Sequence, residues 1–230
     1  MLRPLTPAIP PLEQGDRLTR AEFERRYEAM PYLKKAELIE GVVHMPSPGR
    51  AKRHGSPHAD LIWWLGNYRM FTPGVRVCDN STVRLDLDNE PQPDALMMLE
   101  AAYGGQARID KDDYVEGGPE LAAEVAASSV SIDLYDKLRA YQRNGVREYI
   151  GWRVEDEVID WFLLRKGRYA PLKPPGDGIC RSKVFPGLWL DPAALVRSDL
   201  ARVLQVAQEG IASPEHAKFI AKLQRAAGRG

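Results

Sequence analysis

Apolar and polar positions along the chain switch between a period near 3.6 and a period of 2, and the switches mark the elements. Thr19 and Glu22 have the spacing of a capping box, and Phe23, Tyr27 and Met30 follow at helical intervals before Pro31, which predicts a short amphipathic helix over 19–30. The run 37–45 (ELIEGVVHM) is β-rich at its centre; Pro46 and Pro48 then open a basic loop, Gly49-Arg50-Ala51-Lys52-Arg53-His54. Ser56 and Pro57 suit the N-cap and first position of a second helix that reaches about Phe71 and stops at Thr72-Pro73-Gly74.

Period 2 takes over next. Strands are predicted over 75–78 and over 82–87, where Val83, Leu85 and Leu87 alternate with Thr82, Arg84 and Asp86 as in a half-buried antiparallel strand. Turn formers fill 89–93, Asp94 opens the apolar run 95–99, 103–119 is a polar excursion, and 120–126 (ELAAEVA) returns as a buried strand. Ser128, Ser129 and Ser131 offer caps for a helix with Leu134, Leu138 and Tyr141 on one face, closed by Asn144-Gly145. Strands over 146–152 and 157–164 follow, the second turning through Arg165-Lys166-Gly167 into 168–170 as a hairpin, and the tail (192–208, 214–227) is helical. A mixed sheet with helices on its faces fits this order better than a strictly alternating βα fold. The boundaries expected are a flexible segment over 1–18, one domain over 19–195 and a helical extension over 196–230.

Composition narrows the function classes. With 44% hydrophobic and 28% charged residues among 230, the chain matches ordinary globular proteins. Neither a membrane-spanning run nor, across the prolines of the first eighteen residues, a secretory signal is visible, so a cytoplasmic protein with no membrane partner is expected. Cys78 and Cys180 form no CxxC pattern and read as small buried thiols. Lys plus Arg equals Asp plus Glu at 32 each, so any nucleic-acid contact must come from local patches.

Two carboxylates stand where burial makes them costly: Asp94 at the mouth of an apolar run, and Glu124 inside a strand made for burial. Carboxylates from neighbouring strands supply hard oxygen ligands for Mg²⁺ or Mn²⁺, which keep waters and substrate phosphate in the rest of their shell. Lys137, three residues beyond Leu134, borders the apolar face of its helix and can bring an ammonium to the same place. Taken one at a time the readings are plainer: Asp94 as a turn carboxylate, and Lys137 as half of a surface pair with Asp133 worth about 0.3–0.5 kcal/mol.

Pro93-Asp94, Glu124-Val125, the stretch from Asp133 through Lys137 to Tyr141, and Gly145-Val146-Arg147-Glu148-Tyr149 together resemble the Uma-type family of restriction endonucleases, in the PD-(D/E)XK nuclease superfamily. Glu37-Leu38-Ile39-Glu40-Gly41 resembles that family's ELIDG segment, and Phe185-Pro186-Gly187-Leu188 its closing FPGL. The resemblance implies an α/β restriction-endonuclease-like fold, a mixed sheet flanked by helices. It makes Asp94 and Glu124 metal ligands with the Val125 carbonyl as a third, Glu37 the accessory acid with Glu40 as competitor, and Lys137 the motif lysine. Ala126 stands where the superfamily's plain pattern has its lysine, as in members whose lysine has moved to the following helix. Ala127-Ser128-Ser129, Ile150 and Arg153 are further departures.

The activity implied is Mg²⁺- or Mn²⁺-dependent phosphodiester hydrolysis in nucleic acid, DNA first, by a homodimer; Arg50, Lys52, Arg53, His54 and His58 are its candidate phosphate contacts. A catalytically inactive nucleic-acid- or protein-binding module with the same fold is the competing reading, and a dimer subunit built on the helical tail is a third. His54 and His58 have a zinc-compatible spacing, but Pro57 sets the helix start between them and no third ligand is evident. Trp63 and Trp64 read as core, and Gly104-Gly105 lacks the lysine of a phosphate loop.

Overall fold

The apolar run after Asp94 and the one around Glu124 become neighbouring inner strands of the main sheet. The structure is a computed structural model describing residues 9–45, 50–126 and 132–228, the side chains of 132–134 excepted. In chain order it contains α1 (Arg20–Glu28), β1 (Glu37–Ile39), β2 (Val42–His44), α2 (Ser56–Met70), β3 (Val75–Asp79), β4 (Val83–Arg84), β5 (Ala95–Leu99), β6 (Arg108–Ile109), β7 (Val115–Glu116) and β8 (Leu121–Ala126). Then come α3 (Leu138–Arg143), β9 (Glu148–Arg153), β10 (Val158–Arg165), β11 (Arg168–Pro171), β12 (Cys180–Arg181), β13 (Trp189–Leu190), α4 (Pro192–Val196), α5 (Leu200–Ile211) and α6 (Pro214–Ala227).

Six strands form the main sheet in the order β11-β10-β9-β8-β5-β3. Only β8 and β9 run parallel; the other neighbours are antiparallel. A parallel pair cannot be closed by a tight turn, and the crossover here carries a π-type turn (Ile132–Lys137) that runs into α3. The β10–β11 hairpin turns through Lys166 and Gly167, both at positive φ (50° and 77°), the left-handed pair that a two-residue hairpin requires.

Alternation sorts the central strands between two layers. Ala95, Met97 and Leu99 of β5 and Leu121, Ala123 and Val125 of β8 bury one face against Leu61, Trp64, Leu65 and Tyr68 of α2. Val203 and Ala207 of α5 and Phe219 and Leu223 of α6 complete that same core. The opposite parity faces the other way: Leu96 and Met98 pack with Val83, Ala107 and Val115, and Ala122 packs with Tyr141, Val146 and Tyr149. α1 and the β1–β2 hairpin add a smaller cluster of Leu12, Phe23, Ala36, Leu38 and Val43. The hairpin is stitched to the segment before Asp94 by reciprocal backbone bonds between Leu38 and Glu90, of 3.2 and 2.8 Å.

Several expectations change locally. The strand read over 82–87 is only two residues long, and β4 pairs parallel with β7 in a small separate sheet rather than antiparallel, because the excursion after Leu99 folds back beside it. Thr19 precedes α1 but its side chain makes no capping bond, and the Glu22 carboxylate that would complete the capping box pairs with Arg25 and Arg26 instead. Ser56 is the first residue of α2 and not its N-cap, because the turn Ala51–Gly55 already winds into the helix. Trp63 lies on the exposed side of α2 while Trp64 is buried, and Cys78 is only half-buried. The expected serine caps at 128, 129 and 131 lie outside the described residues.

Candidate active site

Register and parity bring the two carboxylates together. β5 and β8 pair with Ala95 opposite Ala123, so one further step of the ladder sets Asp94 opposite Glu124, on the face shared by Leu96 and Ala122 rather than the face covered by α2. A side-chain bond secures this: the Val125 N–H donates to Asp94 Oδ2 at 2.7 Å. Val125, the expected carbonyl ligand, thus sits beside both acids.

Glu124 points towards the crossover helix, and two donors from it meet Glu124 Oε1: Lys137 Nζ at 3.0 Å and the Tyr141 hydroxyl at 2.9 Å. Lys137 and Tyr141 are four residues apart, one helical turn, which lets both reach one atom. The ammonium also lies 2.9 Å from Glu37 Oε1, which accepts a 2.6 Å bond from the Gln92 N–H. Glu37, Asp94, Glu124 and Lys137 are all buried. Glu40 is excluded from this group by the hairpin turn, where its φ of 51° turns it towards Arg143, 2.9 Å away.

The surface-pair reading of Lys137 fails, because its side chain is only 4% exposed and spans two buried acids. Asp133, the partner that reading required, has its side chain outside the described residues.

Asp94 Oδ1 faces a different set. His54 Nε2 lies 3.1 Å away and Lys35 Nζ 3.9 Å away, while His58 Nε2 is 2.8 Å from the Asp94 carbonyl oxygen and 3.0 Å from Asp79 Oδ1. Burial alone pushes the Asp94 carboxyl up, but the bond and charge of His54, the Val125 N–H and Lys35 outweigh it and hold the pKa below the usual carboxylate value. Asp94 is therefore a carboxylate at neutral pH. Burial, and then the Glu124 charge, pushes the Tyr141 phenol well above its ordinary value, so it remains a donor.

Of the five candidate phosphate contacts, His54 and His58 join the site; Arg50 and Lys52 are exposed on the turn that leads into α2. Arg53 is exposed and paired with Glu155 at 3.1 Å. The histidines are a turn apart, ring centroids separated by 5.5 Å, because the winding begins before Pro57 and not at it. Sequence reasoning missed their bonds to Asp94 for that reason. It also missed Lys35 and Gln92, which carry no spacing signal; Tyr141 stood in the motif, but its apolar-face position pointed to packing and not to its hydroxyl.

Not every buried acid belongs here. Glu120 accepts from the N–H groups of Leu99 and Gln106, and Glu148 accepts from Ser182 Oγ and the N–H groups of Lys183 and Val184. Glu148, the acid of the Gly-Val-Arg-Glu-Tyr segment, therefore anchors the turn before Phe185, three residues along β9 from the register position of Glu124.

Among the described residues no three His, Cys, Asp or Glu side chains form a ready-made metal cluster. The residues that could hold a cation are Asp94 and Glu124, on paired strands, with the peptide of Val125 beside them. Hard oxygens of this kind suit a cation such as Mg²⁺, which keeps part of its shell for water and substrate.

The mixed sheet between α2 and α3 is a restriction-endonuclease-like nuclease fold. A solved structure described as "a putative nuclease belonging to DUF820 from Anabaena variabilis ATCC 29413" matches it with a TM-score of 0.57, at 10% identity, over 75% of this chain and 97% of that one. The model of the Uma2 family, described as "Putative restriction endonuclease", matches residues 20–193, and the chain belongs to that family. No curated protein matches it. No helix among the described residues is long and apolar enough to cross a membrane.

Proposed function

We propose that this protein is a divalent-metal-dependent endonuclease that hydrolyses phosphodiester bonds in nucleic acid, with DNA as substrate. The observation that carries the reading is the meeting of Glu37 and Glu124 at one buried ammonium, 2.9 and 3.0 Å from Lys137 Nζ, beside Asp94 bonded to the next peptide of Glu124's own strand. Residues up to 100 positions apart in the chain converge on one strand end, and buried charged groups that share partners in this way cluster at functional sites.

Asp94 and Glu124 would hold Mg²⁺ or Mn²⁺, with the Val125 carbonyl beside them. When bound, the cation supplies electrophilic polarisation of a phosphate and stabilises charge on its oxygens. Lys137 would supply the positive charge that orients an attacking water and offsets charge developing on the phosphate, and Glu37 and Glu124 hold that ammonium in position. Tyr141 holds Glu124 Oε1 and restricts the carboxylate to one orientation. His54 and His58 fix Asp94 through its side chain and its carbonyl.

The test is cleavage of plasmid DNA by the purified protein in Mg²⁺, with Asp94→Ala as the comparison. Cleavage by the wild type and its loss in a folded Asp94→Ala variant is the expected result; equal cleavage by both would remove Asp94 from the chemistry. A binding module with this fold is the second reading, favoured by one observation: both Asp94 oxygens already have protein partners, Val125 on one and His54 on the other. Under that reading DNA binds, but neither Mg²⁺ nor Mn²⁺ brings about any cleavage.

A further inference from the structure

We infer that Lys35 is a substrate-phosphate contact of this site, a residue that pairs with Asp94 in the free protein and passes to a phosphate oxygen when nucleic acid binds; the inference rests on the nuclease reading given above. The two ammonium groups near the carboxylates differ sharply in access. Lys137 is 4% exposed and enclosed by Glu37 and Glu124, whereas Lys35 is 27% exposed and stands 3.9 Å from Asp94 Oδ1, too far for a hydrogen bond. Lys137 is committed to the interior. Lys35 approaches from solvent, the side from which a polyanion must come.

Its position is prepared by the polypeptide. Lys35 Nζ donates to Asn80 Oδ1 at 3.1 Å, and the Asn80 amide is oriented because its Nδ2 donates to Asp79 Oδ1 at 2.7 Å. Asp79 in turn meets His58, and the Asn80 N–H donates to the Asp94 carbonyl oxygen at 3.3 Å. Asn80 takes a φ of 47° in the turn after β3, which directs this tether back over the site. The ammonium is thus held at the rim by a neutral acceptor and only loosely by the carboxylate. A cation at Asp94 would remove most of the attraction between Asp94 and Lys35, while the Asn80 tether would keep Nζ within reach of an oxygen of the same phosphate. A partly exposed lysine whose carboxylate partner lies beyond hydrogen-bond distance loses little when it changes partner.

Binding of a fluorescein-labelled DNA duplex in Ca²⁺, followed by anisotropy across a salt series, tests this. Lys35→Met is expected to weaken binding by about five- to tenfold and to lower the slope of log K against log salt by about one, the signature of one lost phosphate contact. Lys35→Arg should keep the slope, and Lys34→Met, at an exposed neighbour outside the site, should change neither quantity. A lysine that merely balanced Asp94 would leave the salt slope unchanged. If Lys35→Met matches the wild type in affinity and slope while the wild type binds and cleaves, the Lys35 assignment is wrong and the nuclease reading stands. If the wild type neither binds the duplex nor cleaves it, both are wrong.

Discussion

Glu90 shows how a single side chain can carry a pH signature unrelated to catalysis. It is buried between α1 and β4, and its Oε2 finds no hydrogen-bond donor among the described residues. Burial first, and then the neighbouring Glu24, raise its pKa to about 8 against the partial relief given by Arg84 and Arg20. A folded-state value above the unfolded 4.5 means that the native protein binds the extra proton between those limits, so this residue's contribution to stability falls as pH rises from about 4.5 to about 8. Glu90→Gln should flatten that fall and exceed the wild type in stability at pH 9 by roughly 1 kcal/mol or more. Urea denaturation at pH 5 and pH 9 measures it, and parallel behaviour of the two proteins would show that Glu90 is ionised in the native state. At this same scale the sequence read unevenly. Asp94 and Glu124 stood out because a charge at the mouth of or inside an apolar run is costly, Lys137 because it borders the apolar face of its helix, and Glu37 was separable from Glu40 only once the hairpin turn directed them apart. Lys35 and Gln92 were illegible, being an ordinary lysine and an ordinary glutamine until a distant strand end meets them.

Among the elements, the Phe185-Pro186-Gly187-Leu188 turn joins the site-bearing sheet to the tail. Gly187 has a φ of 91°, and a Cβ there would lie 2.6 Å from the His216 Cβ and 2.9 Å from the Gly210 carbonyl oxygen. The close approach of this turn to α5 and α6 therefore requires glycine on steric and conformational grounds alike. Gly187→Ala should destabilise the protein by about 2 kcal/mol or more and expose α5 and α6 to limited proteolysis. An unchanged denaturation midpoint would mean that the turn can shift freely. Helices and strands with strong periodicity were legible, from α1 to the Lys166-Gly167 hairpin and the capped helices of the tail. The failures came where tertiary structure overrides the local pattern: β4 is short and parallel because the 103–119 excursion returns beside it, and α2 begins early because the preceding basic turn is already wound.

Across the whole molecule, one topological fact positions the chemistry. Strands β5 and β8 are adjacent and antiparallel, so the residue before one and a residue within the other share an end and a face, and the parallel β8–β9 step forces a crossover that delivers Lys137 and Tyr141 to that face. The layered fold could be read from the order of elements and the resemblance. The convergence of Glu37, Asp94, Glu124 and Lys137 was expected from the resemblance alone, since pairing register and strand order are set by long-range contacts that no local pattern encodes. Titration of the metal-free protein with Mn²⁺ by calorimetry tests the central claim directly. The account predicts saturable uptake that is lost in Asp94→Asn and in Glu124→Gln while both variants keep the wild-type circular dichroism spectrum. Uptake that is absent from the wild type, or that persists unchanged in both variants, would contradict it.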